Sequence, residues 1–274
     1  MQIGLSLSLT AQLRSSSTYA VLGYDPALVF DFKNSYYRKG GASTTFSSAI
    51  THAASTNATM VDSDGLLKWR PHNLLTHSGD LANAGWGNQG LTITTGQNDF
   101  EGNPTAFKMT TTAAGGAHRF FKSTTNSRLS NGTTSTVTID LKADGYNFFS
   151  VSCQDQRYAV INLSDGTVSL DTGSVSPTVT SLGNGWYRCS VTSSVVTQEV
   201  FSVGETSQAA SFGSQTFTGD GTSGVLVAYP HSFRSDLGGM VNNPDTGSSY
   251  VPTTSAVVYL SRRGHHIYNG SAWV

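Results

Sequence analysis

The sequence predicts an all-β protein whose main part is a jelly-roll β-sandwich. Only 12% of its 274 residues are charged, and Glu, a strong helix former, occurs only at Glu101, Glu199 and Glu205. Val, Thr, Tyr and Phe, which favour strands, are plentiful. Short alternations of apolar and polar residues recur about every 8 to 12 residues with turn residues between them, which is typical of sandwiches and jelly rolls.

The amino-terminal segment, residues 1–24, is predicted to be a strand followed by a polar arm. Ile3, Leu5, Leu7 and Leu9 alternate with small or polar residues, so one face of the strand is apolar. The polar run RSSST behind it would make a flexible connection. The strand is either an edge of the protein's own sheet or an assembly anchor that adds a strand to another subunit.

Residues 25–70 are predicted to form a small β region. The segments TTFSSA and NATMV are predicted strands, and Asp64-Gly65 between apolar runs indicates a hairpin turn. Asp62 and Asp64 resemble the start of a calcium loop, but its further spaced acids and closing Glu are absent. We therefore expect no metal site here.

Residues 71–235 carry the alternating pattern of the sandwich. At 186–192, Tyr187, Cys189 and Val191 are expected on the buried face, and Trp186 and Arg188 on the other. The clearest predicted strands are 105–111, 118–122, 136–141, 148–155, 159–163, 168–170, 186–192 and 224–233.

Residues 236–274 are predicted to be a short β extension that closes as a hairpin. Asn269-Gly270 lies between strand-like residues and indicates a type I′ turn. Trp273 then either docks on the protein and ties the end down, or is exposed for a partner.

Charge and cysteine usage exclude several classes of protein. A net charge of −1 and an isoelectric point near 6.6 argue against nucleic-acid binding. No apolar run is long enough to insert in a membrane, and the start lacks signal-peptide features, so we expect a soluble, cytosolically made chain. Cys153 and Cys189 have no metal-ligand spacing and are expected to be two buried free thiols.

No sequence motif supports catalysis or a cofactor. The GxGxxG match at 219–224 precedes the strand-like VLVAY and not a helix, so no helix terminus is available to a pyrophosphate. Asp155, Glu199 and Glu205 show no spacing that selects a glycosidase pair, and neither a GxSxG nor an HExxH motif occurs. We therefore expect a non-enzymatic protein with no catalytic residues, cofactor or metal.

An ordered set of motifs carries a resemblance to a known family, over roughly residues 25–260. The motifs are NLLTHSGDLANAGW, TAFKMT, TVTIDLKADGYNFFSVSCQD, AVINLSDGTVSL, SLGNGWYRCSVT, GTSGVLVAYPHSF and SYVPTT. Together they resemble the carbohydrate-binding-module-like jelly-roll domain found in structural proteins of tailed bacteriophages and gene transfer agents.

The resemblance implies a virion surface component, namely a head spike, head fibre or tail fibre, that contacts polysaccharides of the host envelope. The chain would be made in the bacterial cytoplasm and reside in the virion. Its partners would be other virion proteins of the capsid, portal-neck or tail, together with copies of itself. We favour a trimer, with a pentamer at a capsid vertex as the alternative.

Glycan recognition needs flat aromatic faces flanked by polar donors, so aromatic and Arg residues expected in loops or on outward faces are the candidates. The alternative is that these side chains pack against a neighbouring subunit or cap the core. The candidate residues are Trp86, Tyr146, Phe148, Arg157, Tyr158, Trp186 and Arg188.

Three functions follow from these observations. The first is a non-enzymatic, glycan-binding spike or fibre subunit. The second is a purely structural decoration, neck or tail protein without a sugar site, because fold does not fix function. A capsule depolymerase is the third and least favoured, since no carboxylate pair is apparent.

Overall fold

A computed structural model divides the chain into two compact units, Met1–Ala53 and Ala54–Val274. The predicted anchor strand at residues 3–9 lies outside the described residues, and the three boundaries between the four predicted segments stay predictions. The structure describes residues 27–31, 36–49, 56–123, 133–154, 156–196, 198–208, 213–262 and 266–273.

The first unit contains a three-stranded antiparallel sheet and one helical turn. The strands are β1 (Leu28–Asp31), β2 (Tyr36–Lys39) and β3 (Ala42–Thr44), in that spatial order. The helical turn is α1 (Phe46–Ala49).

The strand predicted for TTFSSA is wrong, because the last four of its six residues form α1. The Thr45 side chain accepts a hydrogen bond from the backbone N–H of Ser48 at 3.2 Å. The Ala49 N–H donates to the Thr45 carbonyl at 2.9 Å. A threonine that caps the first turn in this way favours helix over strand.

The second unit is built on two six-stranded antiparallel sheets, here called sheet I and sheet II. In spatial order, sheet I consists of β15 (Thr167–Thr172), β14 (Arg157–Asn162), β13 (Phe148–Gln154), β18 (Gln198–Gly204), β11 (Arg119–Ser123) and β7 (Gly87–Gln89). Sheet II consists of β16 (Ser176–Gly183), β17 (Trp186–Ser193), β12 (Ser135–Asp144), β20 (Gly224–Arg234), β9 (Ala106–Thr111) and β8 (Leu91–Gln97).

The two sheets enclose one apolar core, and this confirms the predicted all-β sandwich of jelly-roll type. Alternate residues of each strand point into the core, as a pleated strand with one covered face requires. The fully buried inward side chains include Phe120, Val137, Ile139, Leu141, Phe149, Val151, Phe201, Val203, Val225 and Val227.

The predicted alternation in β17 is confirmed. Cys189 and Val191 are fully buried in the core and Tyr187 packs against it, while Trp186 and Arg188 lie on the other face of sheet II.

The two predicted free thiols are also confirmed, since Cys153 and Cys189 are both buried and unpaired. Burial raises the pKa of both thiols, so neither is a reactive thiolate.

Three two-stranded ribbons accompany the sandwich. They pair β4 (Thr59–Val61) with β5 (Leu67–Trp69), β6 (His72–Asn73) with β21 (Val258–Tyr259), and β10 (Gly115–Ala117) with β19 (Thr216–Thr218). The first ribbon is the hairpin predicted at Asp64-Gly65, where Gly65 adopts φ +79°.

The predicted C-terminal hairpin forms, but its turn type is not the predicted one. Tyr268 bridges Trp273, and the N–H of Asn269 donates to Ala272 at 3.0 Å. Of these turn residues only Gly270 adopts a positive φ, +99°, whereas a type I′ turn needs two.

Trp273 both docks and remains accessible. A side chain on Gly65 would collide with its indole ring, which ties the terminal hairpin to the β4–β5 hairpin. The residue is nevertheless 39% exposed, so its use by a partner stays a prediction.

Candidate functional site

Strand β20 contains a β-bulge at Tyr229 and Pro230. Its pairing with β12 shifts there, and Tyr229 adopts φ +53°, a left-handed conformation that bulky residues rarely take. Val227 faces the core and Ala228 the outer side of sheet II, so regular alternation would turn Tyr229 inward. The bulge instead keeps Tyr229 beside Ala228 on the outer side.

Tyr229 helps to line a cleft of about 420 Å³, here called the sheet II cleft. The volume is within the range of small-ligand sites, roughly 300–1,000 Å³. The ring of Tyr250 faces that of Tyr229, with ring centres 4.9 Å apart and planes inclined by 59°. The cleft is lined by Ser78, Gly79, Asp80, Thr95, Gly96, Pro104, Thr105, Ala106, Phe107, Tyr229, Tyr250 and Pro252.

One wall is made by two segments far apart in the chain. Ser78 Oγ lies 3.0 Å from Tyr250 Oη, and the Ser78 and Thr253 backbone N–H groups each donate to the other's hydroxyl at 3.0 Å. The Asn73 side chain donates to the Val251 carbonyl at 2.8 Å. The motifs NLLTHSGD and SYVPTT therefore form this wall together.

The opposite wall is organised by Asp99, which is 4% exposed. Its Oδ1 accepts the backbone N–H groups of Glu101 and Asn103, both at 2.9 Å. Its Oδ2 accepts the hydroxyls of Thr105 and Tyr229, both at 2.5 Å. Four donors on one carboxylate fix the loop and hold Tyr229 in the cleft.

These contacts set the protonation states of the wall. Burial alone would raise the pKa of Asp99, but the hydrogen bonds from Thr105, Tyr229 and the loop backbone outweigh it and hold the pKa below its usual value. Burial and the bond to Asp99 raise the pKa of Tyr229 to about 12, and burial raises that of Tyr250 to about 12. At neutral pH the carboxyl is ionised and both phenols are protonated.

A buried ion pair supports the outer face beside the cleft. Arg188 donates to Asp140 through Nε at 2.8 Å and Nη2 at 2.7 Å, while Asp140 is fully buried. Burial raises the pKa of Asp140, and the guanidinium opposes that rise. Phe100 lies between this pair and the cleft, with its ring centre 6.0 Å from Arg188 Cζ and 6.3 Å from that of Tyr229.

Trp86, predicted in an accessible loop, is a core residue. It is 5% exposed and packs on Phe120 and Phe201, with ring centres 5.3 and 6.3 Å away. Its indole N–H donates to the His77 carbonyl at 3.0 Å. The surrounding apolar rings bury it in the core and not in an accessible loop.

The predicted candidates on and near sheet I are dispersed. Tyr146 packs against the core and Phe217 and not outward, because it precedes β13 and escapes that strand's alternation. Phe148 is half-buried on the outer face. Arg157 donates to the Gly173 carbonyl at 2.8 Å, and Tyr158 is only 4% exposed.

Of the predicted candidates, only Trp186 and Arg188 lie in the cluster beside the sheet II cleft, and neither lines it. Trp186 is 2% exposed and belongs to an apolar cluster against which Phe100 and Tyr229 pack. Glycan contact by any of the seven predicted residues stays a prediction.

The residues that line the cleft were missed by the sequence reasoning, although one signal was available. Tyr229-Pro230 interrupts the strand pattern GVLVAYPHSF. Proline inside a sheet is confined to edges and bulges, and β20 is a central strand. A bulge that redirects the neighbouring tyrosine was therefore predictable.

The described residues contain neither a metal-binding cluster nor a membrane-spanning helix. No group of three or more His, Cys, Asp or Glu among them could hold a metal ion. In the suspected calcium loop, Lys68 pairs with Asp62 at 2.8 Å and Asp64 at 2.5 Å. No helix in the described ranges is long and apolar enough to cross a membrane.

Of the carboxylates considered for catalysis, the structure describes Glu199 and Glu205. Glu199 is buried at 2% exposure, whereas Glu205 is exposed on the loop after β18. Asp155 lies outside the described residues.

Comparison with known proteins gives distant structural likenesses only. No family model and no curated protein matches the chain. Among solved structures, the enzymatically active domain of tailspike protein 4 of bacteriophage CBA120 is similar at 15% identity and a TM-score of 0.35, over 59% of this chain and 21% of that one.

Two xylan-related structures are similar to the same degree. The CBM22-1–GH10 modules of Clostridium thermocellum endo-1,4-β-D-xylanase 10B, complexed with xylohexaose, give 15% identity and a TM-score of 0.31, over 60% of this chain and 28% of that one. The CBM22-1 xylan-binding domain of Paenibacillus barcinonensis Xyn10C gives 15% identity and a TM-score of 0.32, over 60% of this chain and 96% of that one. With TM-scores this low, the comparisons add nothing to the geometry of the cleft.

Proposed function

We propose that this chain binds a glycan, without hydrolysing it, in the sheet II cleft. The observation that carries the proposal is the meeting of two tyrosine rings with a hydroxyl–carboxylate network in one cleft. A sugar presents both apolar C–H faces and hydroxyl edges. The rings match the former and the Asp99–Thr105–Tyr229 network matches the latter, as expected of an apolar site with a few fixed polar groups.

The state of Asp99 favours binding over hydrolysis. A glycosidase needs a protonated carboxyl of raised pKa and a second carboxylate about 5 to 10 Å away. The Asp99 carboxylate already accepts four hydrogen bonds, and its pKa is lowered. It therefore acts as a fixed acceptor that positions other groups.

We also propose that the chain is a spike or fibre subunit of a phage-type virion, associated with other virion proteins and with copies of itself. Support comes from the ordered motif set, since NLLTHSGD and SYVPTT together build a cleft wall. A weak site on each subunit would gain avidity from symmetric copies, by about 10²-fold or more. Light scattering should give a trimer, and a monomer at micromolar concentration would contradict this part of the proposal.

The binding site is tested with the full chain and a panel of bacterial polysaccharides by affinity electrophoresis. Tyr229→Ala and Tyr250→Ala should each weaken binding about tenfold, because each removes one ring contact worth about 1.4 kcal/mol. Tyr268→Ala is the matched control, since Tyr268 is 58% exposed and lies outside the cleft.

The outcomes separate the candidate functions, after thermal melts confirm that the variants fold. Equal binding by all three variants would place the glycan site elsewhere. No binding to any polysaccharide would favour the purely structural role, and release of reducing ends would show a depolymerase.

A further inference from the structure

The hydroxyl groups of Thr105 and Tyr229 at the cleft wall have fewer protons to donate than close oxygen–oxygen contacts with each other and with Asp99. Thr105 Oγ1 and Tyr229 Oη each lie 2.5 Å from Asp99 Oδ2, and they lie 2.8 Å from each other. Each hydroxyl has one proton to donate, and an ionised carboxylate can only accept. Two protons therefore serve three contacts.

The ionised Asp99 takes both protons, because a hydrogen bond to a carboxylate is about twice as strong as one between neutral hydroxyls. Thr105 Oγ1 and Tyr229 Oη are then left with lone pairs only. Both residues line the cleft, so this wall presents acceptors to whatever enters.

The charged residues around the cleft likewise disfavour an acidic ligand. Asp80, an exposed residue that bears a negative charge, is among the residues that line the cleft. Among the described residues, none that lines the cleft is Lys, Arg or His. The guanidinium of Arg188, on the neighbouring face, is engaged by Asp140 through Nε and Nη2.

We propose that the sheet II cleft selects glycans that donate hydrogen bonds, namely neutral or amino sugars, over glycans that carry carboxylate or other acidic groups. The inference rests on the proposed glycan binding and adds the chemical class of the ligand. A ligand hydroxyl or ammonium can donate to the acceptor wall. A ligand carboxylate would face lone pairs and the Asp80 charge without a donor from Thr105 or Tyr229.

The test uses matched oligosaccharides and isothermal titration of the full chain. The neutral probes are cello-, manno- and galacto-hexaoses, and each is paired with its C6-oxidised uronate form. A chitosan hexamer is the amine probe. The neutral or amine form should bind about tenfold more tightly than the matching uronate.

Asp99→Asn tests the proton count directly. The amide can donate where the carboxylate only accepted, so a hydroxyl proton becomes free to face the ligand and the preference for the neutral form should shrink severalfold. Asp171→Asn is the control, because it makes the same charge change at an exposed residue of β15 on sheet I. Should Asp99→Asn melt early, Thr105→Val, at an exposed position, removes one of the two acceptor hydroxyls and should weaken neutral binding.

Every outcome decides the proposal. Uronates bound as tightly as their neutral partners would overturn it while leaving glycan binding intact. An unchanged preference in Asp99→Asn, equal to that of Asp171→Asn, would show that Asp99 does not set the selection. Binding of no probe by the wild-type chain would overturn both this proposal and the proposed function.

Discussion

Two groups of aromatic rings in the second unit have opposite surroundings. The interior cluster of Trp86, Phe120 and Phe201 is covered on every side, with Phe120 and Phe201 fully buried and stacked 4.7 Å apart. The cleft pair, Tyr229 and Tyr250, has similar ring spacing at 4.9 Å, but its hydroxyls enter polar networks and its rings border open space.

The difference shows that aromatic content alone does not locate a site. Both groups depend on the same sandwich, and both contain residues with apolar rings. What distinguishes the cleft is a backbone irregularity, the bulge at Tyr229, and buried polar groups such as Asp99 that hold the rings at the surface.

The largest expected effect is on the interior cluster. Phe120→Ala should lower the free energy of unfolding by about 3–5 kcal/mol, because it removes a fully buried ring between two others. Urea denaturation measures the loss. Glycan binding by the folded fraction should be unchanged, and a loss below about 1 kcal/mol would show that the cluster is not a packed unit.

The next effect concerns the ion pair beside the cleft. Asp140→Ala should cost about 2–3 kcal/mol, since it leaves Arg188 without the partner it binds through two nitrogens. The double variant with Arg188→Leu should recover part of the loss in urea denaturation. Additive losses would show that the pair is not coupled.

Acid should affect the side of the molecule behind the cleft. His231, whose ring centre is 6.0 Å from that of Tyr250, is buried, and burial lowers its pKa to about 3; burial likewise lowers that of His72 to about 4. Below about pH 6.5 both imidazoles therefore become protonated in the unfolded chain but stay neutral in the folded chain. The free energy of unfolding is highest above that pH and decreases below it, by up to about 1.4 kcal/mol per pH unit for each His.

Urea denaturation at pH 7, 6 and 5 checks this dependence. His231→Gln should reduce the slope but not abolish it, because Gln does not titrate while His72 still does, whereas Phe120→Ala should lower all three values equally. A wild-type stability that stays constant from pH 7 to 5 would contradict the burial of neutral imidazoles.

The smallest effect is expected from one hydroxyl in the cleft. Tyr250→Phe keeps the ring but removes the contact with Ser78 at 3.0 Å, so stability should fall by about 1 kcal/mol. Glycan affinity should fall less than in Tyr250→Ala. Equal losses of affinity in the two variants would mean that the hydroxyl, and not the ring, contacts the ligand.

Much of the sandwich was predictable because apolar and polar residues alternate along strands with one covered face, as they do in β17. Four strands of the two sheets lie outside the predicted set, namely β7, β8, β16 and β18, and two of them show why. β18 is buried on both faces, so QEVFSVG shows little alternation. β16 is a largely exposed edge strand with a proline near its start.

The candidate site was less predictable, for a different reason. Tyr250 lies in a segment without strand structure and meets Tyr229 only through tertiary packing. Asp99 follows β8 in a loop whose function depends on where Tyr229 is directed. Trp86, by contrast, lies in a sequence rich in Gly and Asn that is typical of loops. Its burial depends on the rings of Phe120 and Phe201, which come from strands distant along the chain.

The wall formed by Ser78 with Tyr250 and Thr253 has a consequence for dividing the chain. A fragment ending at Arg234 would contain every strand of both six-stranded sheets and yet lack half of this wall. The segment that builds the scaffold and the segment that completes the binding surface are thus separable along the polypeptide. Exchange of the tail alone could give one sandwich a new ligand preference.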